Sequence, residues 1–263
     1  MEAVASAQNK YFKLEVFSDE DCGSPREYDN LGTFITWDRG YRSPDANDTF
    51  SEPATFMHEW LPSTADKCPS CGNDGITSMT TGWHDRPIGT VSPITISDSF
   101  DDIYECGWCG DSWAISAGMG AGGVCLPVFK YEHGGVAYST GAFSDPWDSG
   151  QVGFIYTTAE DIARTGPVDG DVEWMAKYHA GKTLVEVVTS ILQAEVEEYS
   201  KWANGECFGY VLSEWTGNYD GEDRYEEIDT CWGFIGGDVA NWGLGTGSAP
   251  DPHIDELTAR IVL

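Results

Sequence analysis

Apolar and polar side chains alternate over residues 11–17, YFKLEVF, with Phe12, Leu14 and Val16 on one side. A period of two marks a strand with one buried face. Residues 31–37, LGTFITW, read as a second strand after a polar loop holding Gly23 and Pro25. From Val124 the run VCLPVFKY has the continuous apolarity of a buried strand; HGG at 133–135 is a turn signal, and VAYST at 136–140 is its hairpin partner. SDPWDSG at 144–150 is a turn-rich loop before a strand at 152–158, VGFIYTT, whose Thr158 is placed to cap a short helix, AEDIAR. Gly166 and Pro167 end that helix. The clearest helix covers 182–203: Leu184, Val188, Ile191, Val196, Tyr199 and Trp202 recur at near-helical spacing, and Glu186, Glu197 and Glu198 sit toward solvent. FGYVLSEW at 208–215 and DTCWGFIGG at 229–237 are strands separated by an acidic loop, and the tail DELTARIVL is a short helix or strand. This order predicts an α+β fold, an antiparallel or mixed sheet with one long helix packed on it.

Over residues 43–112 the periodicity lapses into Ser, Thr, Asp, Gly and Pro. The expected organisation is a core domain made of 1–42 and 113–263, interrupted at 43–112 by a small zinc-ribbon-like insertion. Two pairs, Cys68-Pro69-Ser70-Cys71 and Cys106-Gly107-Trp108-Cys109, stand 34 residues apart in that stretch. Sulfurs two residues apart turn inward together on a tight knuckle, and two knuckles supply the four soft ligands of tetrahedral zinc at about 2.3 Å. Gly72, Gly107 and Gly110 flank the knuckles and let backbone approach the thiolates. The gap exceeds the commonest ribbon spacing of roughly 15–20 residues. A redox dithiol and an iron–sulfur centre are the rivals; a redox CxxC stands alone between a strand and a helix, whereas here there are two. Four thiolates close the coordination shell, so zinc (Zn) is expected as a structural cofactor with Cys68, Cys71, Cys106 and Cys109 as ligands. His58 and His84 lie nearby as spare ligands only if one cysteine is unused.

The net charge is −30, from 44 acids against 14 Lys and Arg. Such a surface repels phosphates and anionic membranes, so direct nucleic-acid or membrane binding is not expected. The acids are scattered in short clusters, Asp19-Glu20-Asp21 and Glu222-Asp223 with Glu226-Glu227 among them. Scatter favours a solvated shell of the kind proteins from salt-rich cytoplasm carry; the rival is a mimic of nucleic-acid charge offered to a DNA-binding partner. No run approaches the length of a membrane span, and MEAVASAQNKYFKLEV lacks the basic start and apolar core of a secretory signal. Reduced thiols are therefore expected, which favours metal over disulfides and leaves Cys22, Cys125, Cys207 and Cys231 as small buried residues.

A polar cluster of His133, Asp145, Asp148, Ser149 and Gln151 is the candidate for chemistry, since a His near a carboxylate and a hydroxyl suits acyl transfer or hydrolysis. The simpler reading is a hairpin turn and a loop whose Asp and Ser bond their own backbone. No GxSxG, P-loop, HExxH or GxGxxG motif raises the enzyme reading, and GMGAGG at 118–123 lacks the Lys of a phosphate loop. Trp37, Trp147, Trp215 and Trp232 are either a binding groove or core aromatics.

The blocks DNLGTFITWDRGYR at 29–42, SDPWDSGQVGFIYT at 144–157, the helix from 184 running into CFGYV, and DTCWGFI at 229–235 resemble, in that order, a family of uncharacterised proteins of tailed bacteriophages and related viruses. The resemblance carries over no catalytic or binding residue. It implies a viral genome and action in the host cytoplasm or in a virion. Three functions follow as expectations: an accessory protein that binds a host protein, as an anti-defence factor or nucleic-acid mimic; a virion-associated structural protein; and an enzyme using the His133 and Asp148 region.

Overall fold

The computed structural model describes residues 2–60, 76–79, 101–106, 112–116, 123–165, 181–244 and 252–263. In chain order the elements are strands β1 (Ala5–Gln8), β2 (Phe12–Ser18) and β3 (Thr33–Thr36), helix α1 (Pro53–Trp60), and strands β4 (Ile76–Met79), β5 (Asp101–Cys106) and β6 (Ser112–Ser116). There follow β7 (Val124–Glu132), β8 (Val136–Ser139), β9 (Ser149–Thr157), helices α2 (Ala159–Thr165) and α3 (Leu184–Ala203), strands β10 (Cys207–Tyr219) and β11 (Glu222–Ile235), and helix α4 (Pro252–Thr258). The fold is α+β with antiparallel sheets. The chain divides into two compact units, one of Met1–Tyr28, Gly135–Ala137 and Glu198–Leu263, the other of Asp29–Gly134 and Tyr138–Glu197. No helix among the described residues is long and apolar enough to cross a membrane.

The first unit is built on a four-stranded sheet in the order β1-β2-β10-β11. The alternation of 11–17 is used as expected: Leu14 and Val16 are fully buried, with Phe12 packed beside them. Opposite lie Tyr210 and Leu212 of β10, and Ile254 and Leu257 of α4 close the same core. Each fully buried Leu or Val contributes roughly 1.5–3 kcal/mol of transfer free energy. Phe234 of β11 stacks on Trp242 at 4.6 Å, extending the core along the sheet. The strands at 208–215 and 229–237 run further than the sequence pattern suggests. They meet at a two-residue turn, Asp220-Gly221, where both residues have positive φ, 56° and 87°. That is the geometry of a type I′ hairpin, whose twist matches the strands and which Asp-Gly favours. The acids read as a loop therefore lie on paired strand, apart from Asp220 in the turn itself.

The second unit holds the sheet β3-β9-β7-β8. Phe56 of α1 sits at the centre of its core, with ring contacts to Phe50 (5.3 Å), Phe154 (5.1 Å) and Tyr156 (5.0 Å). Phe50, Phe56 and Trp60 are all buried. The polar drift that begins at residue 43 thus does not end apolar packing there, because three spaced aromatics suffice to anchor α1. The rest of the 43–112 stretch lies mostly outside the described residues. Its described strands form a three-stranded antiparallel sheet, β4-β5-β6, in which Ile76 pairs with Cys106.

Both expected helix starts are capped by the same reciprocal device. Thr158 Oγ1 accepts the Asp161 N–H at 3.2 Å while Asp161 Oδ2 accepts the Thr158 N–H at 3.3 Å. Thr183 and Glu186 repeat it at 3.3 and 2.7 Å, a capping box that starts α3. On α3, Val188, Val196 and Tyr199 are buried as the spacing predicts, but Val187 and Leu192 take the core positions rather than Leu184 and Ile191, which are half-buried. Glu195 lies on the same buried arc. Its carboxylate accepts the main-chain N–H of Leu31 at 2.8 Å and of Gly32 at 3.2 Å, so a charged side chain serves as a cap for the approach to β3.

Candidate functional site

Cys68, Cys71 and Cys109 lie outside the described residues, and Cys106 closes β5 with only its backbone described. Among the described residues no group of three His, Cys, Asp or Glu is placed to hold a metal. The four-cysteine ligand set is an expectation from the spacing in the sequence.

The cluster of His133, Asp145, Asp148, Ser149 and Gln151 is brought together. His133 Nδ1 and Asp148 Oδ2 are 2.8 Å apart, with His133 largely exposed. The remaining groups are turned elsewhere. Asp145 Oδ1 accepts the N–H of Trp147 at 2.8 Å and of Asp148 at 3.4 Å, Ser149 Oγ donates to the Asp145 carbonyl, and Gln151 Nε2 donates to the Gly153 carbonyl at 3.4 Å. A nucleophile needs its base within hydrogen-bond reach, and here the hydroxyl is committed to the backbone of its own loop. The arrangement is a surface imidazole–carboxylate contact beside an Asx turn.

A more deeply set polar group was not legible from the sequence. Lys130 is 5% exposed although it belongs to an apolar strand. Its Nζ lies 2.7 Å from Asp38 Oδ2 and 2.7 Å from Glu132 Oε2, and 3.3 Å from the centre of the Tyr41 ring. Tyr41 Oη donates to Glu132 Oε1 at 2.6 Å. Burial alone would lower the Lys130 pKa, but the Asp38 and Glu132 carboxylates outweigh it and hold the ammonium above the usual lysine range. Lys130 and then Tyr41 keep the Glu132 carboxyl below its usual range, and in return the bond to Glu132 raises the Tyr41 hydroxyl. A lysine at the end of an apolar run, two residues before a glutamate, is the only signal the sequence offered.

Next to this group a cleft of about 900 Å³ opens between the start of α1 and the β3–β9 edge. Trp37, Met57 and Phe154 form its apolar wall, and Asp38, Arg39 and Gln151 its polar rim.

Trp37 and Trp147 belong to the second unit, the first half-buried and the second 92% exposed; Trp215 and Trp232 lie on the hairpin of the first. Trp232 covers Gly209, where an added Cβ would lie 2.2 Å from the ring, and Trp215 Nε1 donates to Asp223 Oδ1 at 3.1 Å.

From Glu214 to Asp229 the hairpin carries seven acids, Glu214, Asp220, Glu222, Asp223, Glu226, Glu227 and Asp229, against one cation, Arg224. Glu214 and Glu226 are register partners, and Ser213 faces Glu227. Trp215, Tyr219, Ile228 and Trp232 are exposed among them. β11 is an edge strand of its sheet.

No family model matches the chain, and neither a curated protein nor a solved structure does.

Proposed function

We propose that the chain is a viral accessory protein that binds a basic host protein, of the nucleic-acid-handling kind, through the acidic face and edge of the β10–β11 hairpin. The observation that supports this most is the register pair Glu214–Glu226. Like charges directly opposite on a sheet weaken the pairing. An edge strand that keeps them, together with five further acids and exposed aromatics, is shaped for an external cation better than for its own stability. Aromatics supply area at low entropy cost, and charge supplies steering and specificity. An exposed edge also offers main-chain groups to an incoming strand. The viral setting, in host cytoplasm or virion, rests on the order of the sequence blocks.

The same reading takes Cys68, Cys71, Cys106 and Cys109 as one structural zinc site. The Ile76–Cys106 pairing supports it: residue 76 is only five positions beyond Cys71, and five residues of chain are short enough to keep the first pair within roughly 17 Å of β4. It also takes α3 as packed on the β3–β9 side of its sheet, since Leu192 and Ile155 both close on Gly32.

The test uses the intact chain and an arginine-rich peptide as the cationic probe, followed by fluorescence anisotropy across a salt series. Binding is expected to weaken steeply with salt, and Glu222→Gln, Glu226→Gln and Glu227→Gln together to weaken it by about tenfold or more, while neutralising Glu20, Asp21 and Glu27 has little effect. Equal loss from both triple variants would show that only net charge is being felt and would sink the hairpin assignment. Elemental analysis of protein prepared without chelator is expected to give one zinc per chain, lost in Cys68→Ser.

A further inference from the structure

The cleft beside α1 belongs to the second unit and is unrelated to the acidic hairpin. We propose that it is a binding site for a flat apolar anion, an aromatic carboxylate or sulfonate, whose rings lie against Trp37 and Met57 and whose charge is met by Arg39. The volume of about 900 Å³ is in the range of drug-sized ligand sites. Its wall is preorganised. The Trp37 indole is fixed by its Nε1 donating to the Phe50 carbonyl at 3.0 Å and by an edge contact to Phe154 at 6.2 Å. Met57, half-buried, adds an adaptable side chain that fits ring edges. A fixed aromatic wall loses little entropy on binding.

The sign of the ligand follows from the rim. Asp38, the carboxylate at the mouth, already has its Oδ2 on the Lys130 ammonium, which it shares with Glu132. Arg39 is exposed and, among the described residues, makes no ion pair. In a chain of net charge −30, that leaves at an apolar cleft a guanidinium that no described acid pairs with. A planar guanidinium presents paired donors to a carboxylate or sulfonate and stacks on flat groups. A cationic ligand would meet Arg39 as a repulsive neighbour and would compete with Lys130 for Asp38. The long-range acidic field opposes an anion, but salt screens it beyond roughly 10 Å, whereas contact with Arg39 and the apolar wall is local.

The probe is the fluorescent anion 8-anilinonaphthalene-1-sulfonate, with neutral N-phenyl-1-naphthylamine as its uncharged counterpart, both titrated into the full chain at moderate salt. Saturable binding of one equivalent of each is expected. Arg39→Gln should weaken the sulfonate about five- to tenfold, as for a lost charge-assisted contact, and leave the neutral probe within about twofold. Met57→Trp, which fills the cleft, should abolish both; Ala54→Leu at the exposed mouth does the same by a milder route if Met57→Trp fails to fold. All variants are compared at matched thermal unfolding, so that dye binding to loosened protein is not counted. Non-saturable binding, equal loss of both probes in Arg39→Gln, or unchanged binding in a folded cleft-filling variant would overturn the proposal.

Discussion

Replacing Glu195 tests whether a buried carboxylate, and not helix propensity, holds α3 to the segment that enters β3. Glu195 is 9% exposed, and its two oxygens accept the N–H groups of Leu31 and Gly32 at 2.8 and 3.2 Å. Both partners are buried, so water cannot replace the carboxylate without local opening. A buried donor that loses its acceptor costs about 1–3 kcal/mol. With two donors affected and some relaxation, Glu195→Ala is expected to destabilise by about 3 kcal/mol, even though Ala is the better helix former by a few tenths of a kcal/mol. Glu195→Gln keeps one acceptor oxygen but turns an NH₂ toward the second donor, and should cost about 1–2 kcal/mol. For a chain of this size the alanine variant should lower Tm by roughly 6–12 °C. The assay is urea and thermal unfolding by circular dichroism, with exposed Gln193→Ala as the control, expected within about 0.5 kcal/mol of the parent. Amide exchange at Leu31 and Gly32 should quicken in Glu195→Ala. A ΔΔG below about 0.5 kcal/mol, or unchanged exchange at those two amides, would refute the reasoning.

Acid should destabilise the chain through particular carboxylates. Lys130 and Tyr41 hold Glu132 below its usual range, the Thr183 N–H and hydroxyl do so for Glu186, and Asn218 and Trp215 for Asp223; burial pushes Asp161 up, but Thr158 and Arg164 outweigh it. Groups depressed in the folded state contribute stability above their unfolded values near 4, and that stability is lost as pH falls through the lower folded values. In roughly 0.5 M salt, which screens the mean field, stability should fall below about pH 4, and Glu186→Gln should flatten that limb; a limb identical to the parent's would refute it. Thiol labelling followed by peptide mass spectrometry should find that, of Cys22, Cys125, Cys207 and Cys231, exposed Cys231 reacts first and Cys125 only on unfolding. Burial pushes the Cys125 thiol up, and burial and then Cys22 push Cys207 up to about 12. Native-state labelling of Cys125 as fast as Cys231 would contradict this. Gly209→Ala should displace the Trp232 ring, shift its fluorescence and cost about 1–2 kcal/mol, since the new Cβ would lie 2.2 Å from the ring; an unchanged spectrum would contradict it.

By itself the sequence determined those local elements whose signals lie within a few positions of one another. The alternation of 11–17, the helical spacing of 184–203, the turn at HGG and the cap at Thr158 each depend on residues a few positions apart, and each appears in the structure. What it left out needed partners distant in the chain. Asp220-Gly221 carried the signal of a tight turn, yet the run of acids around it read as a loop, because charge density and strand pairing compete and only the facing strand decides. Lys130 and Glu195 looked like ordinary charged residues. They are buried because the fold brings Asp38 and Glu132 to the first, 92 positions away in the case of Asp38, and the Leu31 and Gly32 amides to the second, 164 and 163 positions away. A buried charge is tolerated only where such partners converge, and convergence is a property of tertiary structure, not of any window of sequence.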